Sequence, residues 1–329
     1  MLFKSGYTGL NLHLYNLELR LKSLFSLSSG GSSTTQLGIS VDEERVAVAI
    51  ANHESDPPTI SQVLTLPLEK SLKATLQQAI KQTNATDAQA VFGLKVHDSK
   101  FHKVQKPNIP EEERNTSLLF LMKDRLGQAV DNTMIGCIDY PEGCRHDDQL
   151  MVFEVNKPHI ASLVEAGHGC GLNIDAIDVV ELLYGDLIYS EEEMHKGIGF
   201  IVEHDTGVHL LLYRDHSLYL IRRLQDISDL LSCLPAPGNA QMADALTLEV
   251  QRTLDYYDSL MGQPTPANLY IMPSISDMTA LAEYLNASLA PSVSMLDLNN
   301  LLDLPEALDY ASQQDVVVAV AASLRRSHK

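Results

Sequence analysis

The stretch QLGISVDEERVAVAIANHESDPPTISQVLTLP, residues 36–67, decides the fold. Short runs rich in Val, Ile, Leu and Ala read as strands, and the pattern predicts them over 36–41, 45–51 and 59–67. The acidic connection Asp42-Glu43-Glu44 between the first two is short enough for a hairpin. Leu72, Leu76 and Ile80 then recur every four residues, which predicts a helix over Leu68–Gln82. A further strand follows at 88–96. Three strands, a helix and a strand open a mixed sheet with helices on its faces.

The same opening recurs in GIGFIVEHDTGVHLLLYRDHSLYLIRRL, residues 197–224. It reads as three strands with turns near Asp205-Thr206-Gly207 and Arg214-Asp215-His216-Ser217. A Pro/Gly loop at 234–239 precedes a helix, the strand NLYIMP (268–273), a second helix and a closing small-residue helix, DVVVAVAASLRR. Architecture is thus repeated where sequence is not. Between the repeats, Pro110 and Glu111–Glu113 suit a helix start. A strand ending at Tyr140, a strand at 150–155, a helix stopping at Gly167–Gly171, a short strand and one long helix, ELLYGDLIYSEEEMH, complete the segment. The predicted organisation is a tail and linker at 1–34, a first lobe at 35–195 and a second lobe at 196–329. The first lobe carries an inserted subdomain over 96–159.

Bulk properties narrow the function. A chain of 329 residues with 45% apolar and 20% charged side chains is long enough for about two domains. Its net charge of −19 repels phosphate backbones and anionic lipid, which argues against a nucleic-acid partner. Cys137, Cys144, Cys170 and Cys233 form no CxxC pair, so free thiols are expected rather than a zinc site. The longest apolar run, Val316–Leu324, is about half of the ~20 residues that span a bilayer. A soluble, cytoplasmic protein is expected. Near the N-terminus, Leu10–Leu27 is leucine-rich and precedes the flexible SLSSGGSSTT at Ser26–Thr35. It reads as a loosely ordered tail, with a membrane-surface anchor as the alternative.

The order of segments resembles the PilM family of type IV pilus assembly proteins, and within it the MSHA-biogenesis branch, MshI. LGISVDEERVAVA resembles the family's opening hairpin, and QKPNIPEEERNTSLLFLMKDRL with IDYPEG resembles its inserted subdomain. GLNIDAIDVVELLYGDLI resembles its linking strand and helix; LTLEVQRTLDYYDSL and VAVAASLRR resemble two late helices. The resemblance covers roughly residues 35–326. It implies an actin-like, two-lobed α/β fold of the duplicated ribonuclease H-like type.

The wider superfamily binds nucleotide between its lobes, with an Asp near Mg²⁺ and glycines that admit phosphate and adenosine. Aligned on that pattern, Ser40 stands for the first Asp and Asp42 for its Gly, with Glu43 beside it. In the second hairpin Glu203 stands for the Asp and Asp205 for the Gly, followed by Thr206; the adenosine glycines become Met272-Pro273-Ser274. The expectation is a degenerate site that holds no cofactor, hence a pseudo-ATPase scaffold rather than an enzyme. The alternative is an actin-like ATPase whose acidic hairpins hold ATP through Mg²⁺. The family further implies docking of the short cytoplasmic tail of a PilN-like inner-membrane protein. That groove would lie between the first lobe and its insertion, with Phe92, Leu94, Ile109, Leu118, Phe120 and Met122 as candidates.

Other pairs have plainer readings. His204-Asp205 reads as a turn, His168-Gly169-Cys170 as a helix stop, and Glu191–Glu193 as an exposed helix segment. Asp255-Tyr256-Tyr257-Asp258 fits either a partner surface or an amphipathic helix with one tyrosine packed. Gly185 and Ala319–Ala322 are small enough to let helices cross closely between lobes.

Overall fold

The computed structural model describes residues 34–326, apart from 69–70, 87, 96–97, 147, 237 and 239. The leucine-rich segment and the Ser26–Ser33 part of the linker lie outside the described residues. β1 (Thr35–Val41) and β2 (Arg45–Asn52) pair antiparallel in unbroken register, and β3 (Thr59–Pro67) adds to β2. Helix α1 (Leu72–Thr83) starts at Ser71, whose hydroxyl accepts the Ala74 N–H, and stops at Asn84 in the left-handed region. It returns the chain to β4 (Gln89–Leu94), parallel to β1 on its other side.

The insertion follows as β5 (Ser99–Gln105), α2 (Glu111–Leu121), β6 (Thr133–Asp139) and β7 (Gln149–Asn156), with sheet order β5-β7-β6. Its central strand alternates two apolar faces. Leu150 and Val152 pack with Leu118, Met122 and Ile135 in a small core of their own. Met151, Phe153 and Val155 join the main core, together with Phe101 and Met134. β5 was not expected from the sequence, because SKFHKVQ carries only two apolar residues. Pairing with β7 along its whole length, from Ser99↔Val155 to Gln105↔Gln149, makes it a strand.

Helix α3 (Lys157–Gly169), capped by Asn156, leads to β8 (Asn173–Val179), which completes a first sheet of order β3-β2-β1-β4-β8. The long helix expected over 181–195 is instead broken. It runs as α4 (Val180–Leu183), a 3₁₀ turn (Tyr184–Leu187), and a separate α5 (Glu191–Lys196) started by the Ser190 hydroxyl. The capping serine supplies the physical reason, since it accepts the Glu193 N–H and fixes a new helix start.

The second sheet has order β11-β10-β9-β12-β13, from β9 (Ile198–His204), β10 (Gly207–Arg214), β11 (Ser217–Arg223), β12 (Asn268–Ile271) and β13 (Ser292–Met295). It repeats the first sheet's arrangement, with three antiparallel strands and two parallel additions. Helices α6 (Gln241–Met261), α7 (Thr279–Asn286), α8 (Leu298–Leu301) and α9 (Tyr310–Ser323) complete the chain.

One apolar core runs through both sheets. The second half of α9 is buried without a break, from Val316 to Ser323, as expected for a helical segment apolar all round. By chain order it belongs with the second lobe, yet it lies on the first sheet. A Cβ added at Gly38 of β1 would fall 1.9 Å from the Ala319 carbonyl oxygen and 2.3 Å from the Ser323 nitrogen. Gln36 Nε2 donates to the Ala322 carbonyl at 2.8 Å, and His53 Nε2 lies 2.9 Å from the Ser323 carbonyl, so the helix end is satisfied by the sheet. At the other crossing, a Cβ on Gly185 would meet Tyr213 at 3.0 Å, and the Tyr213 hydroxyl donates to the Glu181 carbonyl at 2.6 Å.

Three carboxyls are buried where these segments cross. Burial pushes Asp178, Glu181 and Asp186 each up to about 7, against the pull of Arg325 on Asp178 and of the Arg326 N–H on Asp186. Arg325 pairs with Asp178, and the Arg326 N–H donates to Asp186 at 3.1 Å. One oxygen of Glu181 has no hydrogen-bond partner.

Two outcomes are expected. Gly38→Ala drives a methyl into helix backbone that has no room to retreat, and should cost about 3 kcal/mol or more in chemical denaturation, or abolish folding. The three raised carboxyls contribute stability that is complete below their ordinary values of 3.8 and 4.5 and is lost as pH rises through about 7. Glu181→Gln should therefore stabilise the protein at about pH 8, by up to about 3 kcal/mol, and leave it unchanged at about pH 4. Equal effects at both pH values would show that this carboxyl is not the titrating group.

Candidate functional site: the interlobe cleft

The carboxyl ends of parallel strands in α/β sheets converge on crevices that hold ligands. Here the ends of β1, β4, β9 and β12 border a cleft of about 530 Å³. The β1–β2 turn contributes Asp42, Glu43 and Glu44, and the end of β9 with its turn contributes Glu203, His204 and Asp205. Met272 and Pro273 follow β12. Val180, Tyr184, Val317 and Val318 supply apolar lining from the two crossing segments.

The first acidic turn is built by its own aspartate. Asp42 Oδ1 accepts the N–H groups of Glu44 at 2.9 Å and Arg45 at 2.7 Å, while Oδ2 pairs with Lys95 Nζ at 2.8 Å. Partial burial pushes the Asp42 carboxyl up, but Lys95 and the two N–H groups hold it below its ordinary value. Arg45 pairs with Asp315 of α9, which anchors the turn to that helix. In the second turn Glu203 Oε2 accepts the Leu230 N–H at 2.9 Å and so holds the chain that follows β11. The His204 and His209 rings lie 5.4 Å apart, and burial lowers the His209 pKa. Among the described residues no group of three or more His, Cys, Asp or Glu is placed to hold a metal ion.

The structure thus gathers Asp42, Glu43, Glu203, Asp205, Met272 and Pro273 in one cleft. Three other residues of that set are not in its lining. Ser40 is buried, on the face of β1 that carries Gly38 and meets α9; Thr206 is exposed in its turn; Ser274 is buried beyond Pro273. Sequence reasoning missed Lys95, although a lysine closing a parallel strand is the available signal. It also missed Gln314, Val317 and Val318, which no motif marks.

Four of the six residues expected to line the partner groove are buried. Phe92 and Leu94 are 1% and 2% exposed in the main core, and Leu118 and Met122 are 0% and 2% exposed in the core of the insertion. The central strand β4 and the inner face of α2 explain their burial. Ile109 is half-buried. Phe120 is 61% exposed and stands beside Leu121, which is 67% exposed.

The insertion also reaches the second lobe. Arg145 Nη1 donates to the Ser259 carbonyl at 2.6 Å and its N–H to the Met261 carbonyl at 3.4 Å, at the end of α6. Gly262, with φ of 70°, leaves room for it, since a Cβ there would lie 3.1 Å from Arg145 Nε. A guanidinium at a helix C-terminus also meets the negative end of the helix dipole. Tyr257 of α6 is packed and Tyr256 half-buried, so this helix face serves packing.

No family model matches the chain, and no curated protein matches it. Solved structures do. The chain is similar to a chain of a PilM-PilN type IV pilus biogenesis complex, with TM-score 0.59 and 18% identity over 88% of this chain and 97% of that one. It also matches the cytoplasmic domain of EpsL, an inner-membrane component of the type II secretion system of Vibrio cholerae, at TM-score 0.47 and 10% identity, over 89% and 96% of the two chains. A Bacteroides thetaiotaomicron protein of unknown function with an actin-like ATPase fold matches at TM-score 0.48 and 12% identity, over 82% and 93%. The fold is the actin-like, two-lobed α/β fold.

Arg145→Ala should speed amide exchange at the 140–146 turn and the last turn of α6 while costing about 1 kcal/mol of stability. Unchanged exchange at both places would mean that Arg145 does not clasp the insertion to the second lobe.

Proposed function

We propose that this protein is a cytoplasmic scaffold of type IV pilus assembly, of the MSHA kind, recruited to the inner membrane by the cytoplasmic tail of a PilN-like protein. The observation that carries this reading is the likeness in fold, along nearly the whole length of both chains, to a chain from a PilM-PilN complex. Among the described residues no helix is long and apolar enough to cross a membrane, so a protein contact would supply the membrane attachment. An extended tail can add main-chain hydrogen bonds to a sheet edge and set alternate side chains in apolar pockets. On the insertion, Phe120 with Leu121 and the half-buried Ile109 remain available for such a contact.

The cleft supports a non-catalytic role. The N–H groups of Glu44 and Arg45, which a phosphate would use, are already taken by Asp42. Glu43, Glu44, Glu203 and Asp205 add carboxylates where a polyphosphate would lie. Like charges at about 4 Å cost about 4 kcal/mol at an effective dielectric near 20, and about 1.4 kcal/mol is tenfold in affinity. One observation favours the alternative, an actin-like ATPase: Lys95 places an ammonium in the same cleft. Its pairing with Asp42 leaves it only in part available to phosphate.

The two halves of the reading are measured separately. Fluorescence polarisation with the first fifteen or so residues of the PilN-like partner should show saturable binding, lost in Phe120→Asp, whose exposed position tolerates the charge. No saturable binding, together with no co-purification of the whole partner, overturns the scaffold reading. Calorimetry with ATP and Mg²⁺ should show no binding tighter than about millimolar; a dissociation constant in the low micromolar range restores the ATPase.

A further inference from the structure

We propose that the interlobe cleft is a docking site for a basic, extended segment of a protein partner, alternating apolar and cationic side chains. This rests on one half of the proposed function, that the cleft holds no nucleotide, and is independent of the tail-docking half.

Four features select this occupant. The first is charge. The lining carries five carboxylates against one lysine, which is paired with Asp42. Arg45, beside the lining, pairs with Glu44 at 3.4 Å and lies 3.9 Å from Asp42, so Glu43, Glu203 and Asp205 carry most of the excess negative charge. Glu43 and Asp205, on opposite turns, are both exposed at the opening. The second is the apolar share of the lining: Tyr184, Met272, Pro273, Val317 and Val318 face the same space. A polyamine or a metal ion would leave that surface wet. The third is spacing. Among the described residues no group of three or more His, Cys, Asp or Glu is placed to hold an ion, so the negative charge is distributed around the opening and suits cations spaced along a chain. The fourth is the exposure of apolar residues close in sequence to the lining: Ile275, two residues past Pro273, is 57% exposed, and Tyr310, one helical turn before Gln314, is 38% exposed.

An extended peptide has a period of two, so one set of side chains can meet the apolar lining while the other reaches the acidic turns. The clasp of Arg145 on the end of α6 joins the insertion to the second lobe and favours a cleft that is formed before the segment arrives. Opposite charges across the opening would speed encounter and select basic over acidic segments.

The test uses the intact protein and two fluorescein-labelled octapeptides, one alternating Leu and Arg and one alternating Leu and Glu, with spermine as competitor. The basic peptide should bind saturably, the acidic one should not, and spermine should compete weakly. The double variant Glu43→Lys/Asp205→Lys should weaken binding about tenfold or more. The charge-matched Glu165→Lys/Glu283→Lys, at exposed positions on α3 and α7, should leave it nearly unchanged. Ile275→Ser should also weaken it. The proposal is overturned if both double variants weaken binding alike, which would mean bulk attraction to an acidic protein, or if the cleft variant has no effect. Spermine binding as tight as the peptide's would overturn the peptide assignment. Displacement of the peptide by low-micromolar ATP with Mg²⁺ would overturn the nucleotide-free reading as well, whereas absence of both peptide and ATP binding would remove this proposal alone.

Discussion

The contact of α9 with β1 is backbone against backbone. Gly38 has no Cβ, and Ala319 and Ser323 bring main-chain atoms into the space where one would stand. Van der Waals surfaces at that distance leave no slack, so the first sheet and the last helix have one relative position. Much of the site follows from it. Arg45 reaches Asp315 on α9, which fixes the β1–β2 turn and its three acids at the cleft. Val317 and Val318, on the same helix, become cleft lining. At the helix end, Arg325 and Arg326 arrive beside Asp178 and Asp186 on the segment that leads from the first sheet to the second.

Those buried pairs are costly contacts. Charges removed from water lose more in hydration than an imperfect partner returns, and breaking one partner leaves the other stranded. Among the described residues Glu181 has no ion-pair partner, and burial moves it toward the neutral form. A segment this encumbered is tolerated because it carries chain between two sheets that share one core. Tyr213 of the second sheet locks against Gly185 and the Glu181 carbonyl, so the crossing is held from both sides.

Much of the architecture was legible in the sequence, for a physical reason. The strand runs at 36–67 and 197–224 are bounded by acidic or glycine turns, and the strands form at those places with ends shifted by a residue or so. Local chemistry failed where tertiary pairing decides. β5 is a strand because β7 offers it a ladder, and 181–195 breaks because Ser190 caps a new helix. The cleft was legible in its turns and not in its walls: Asp42 and Asp205 stand in recognisable hairpins, whereas Lys95, Gln314 and Val318 meet only after folding. The residues expected to line the partner groove were least separable from the core. An apolar residue in a strand or on a helix looks the same whether it faces a groove or a core, and Phe92, Leu94, Leu118 and Met122 face cores.

The chemistry of the β1–β2 turn joins fold to function. Asp42 turns its carboxylate back onto the Glu44 and Arg45 N–H groups, as Asx turns do, and satisfies them internally. On the reading proposed above, the same side chain occupies donors that an anion would need and adds a charge that an anion avoids. Lys95 neutralises part of that charge but is itself held in place by it. The second turn repeats the logic with other groups, because Glu203 spends its carboxylate on the Leu230 N–H and so closes the loop after β11 over the hairpin. In both lobes a turn shaped for local stability faces the cleft with carboxylates, and what such a cleft can attract is positive.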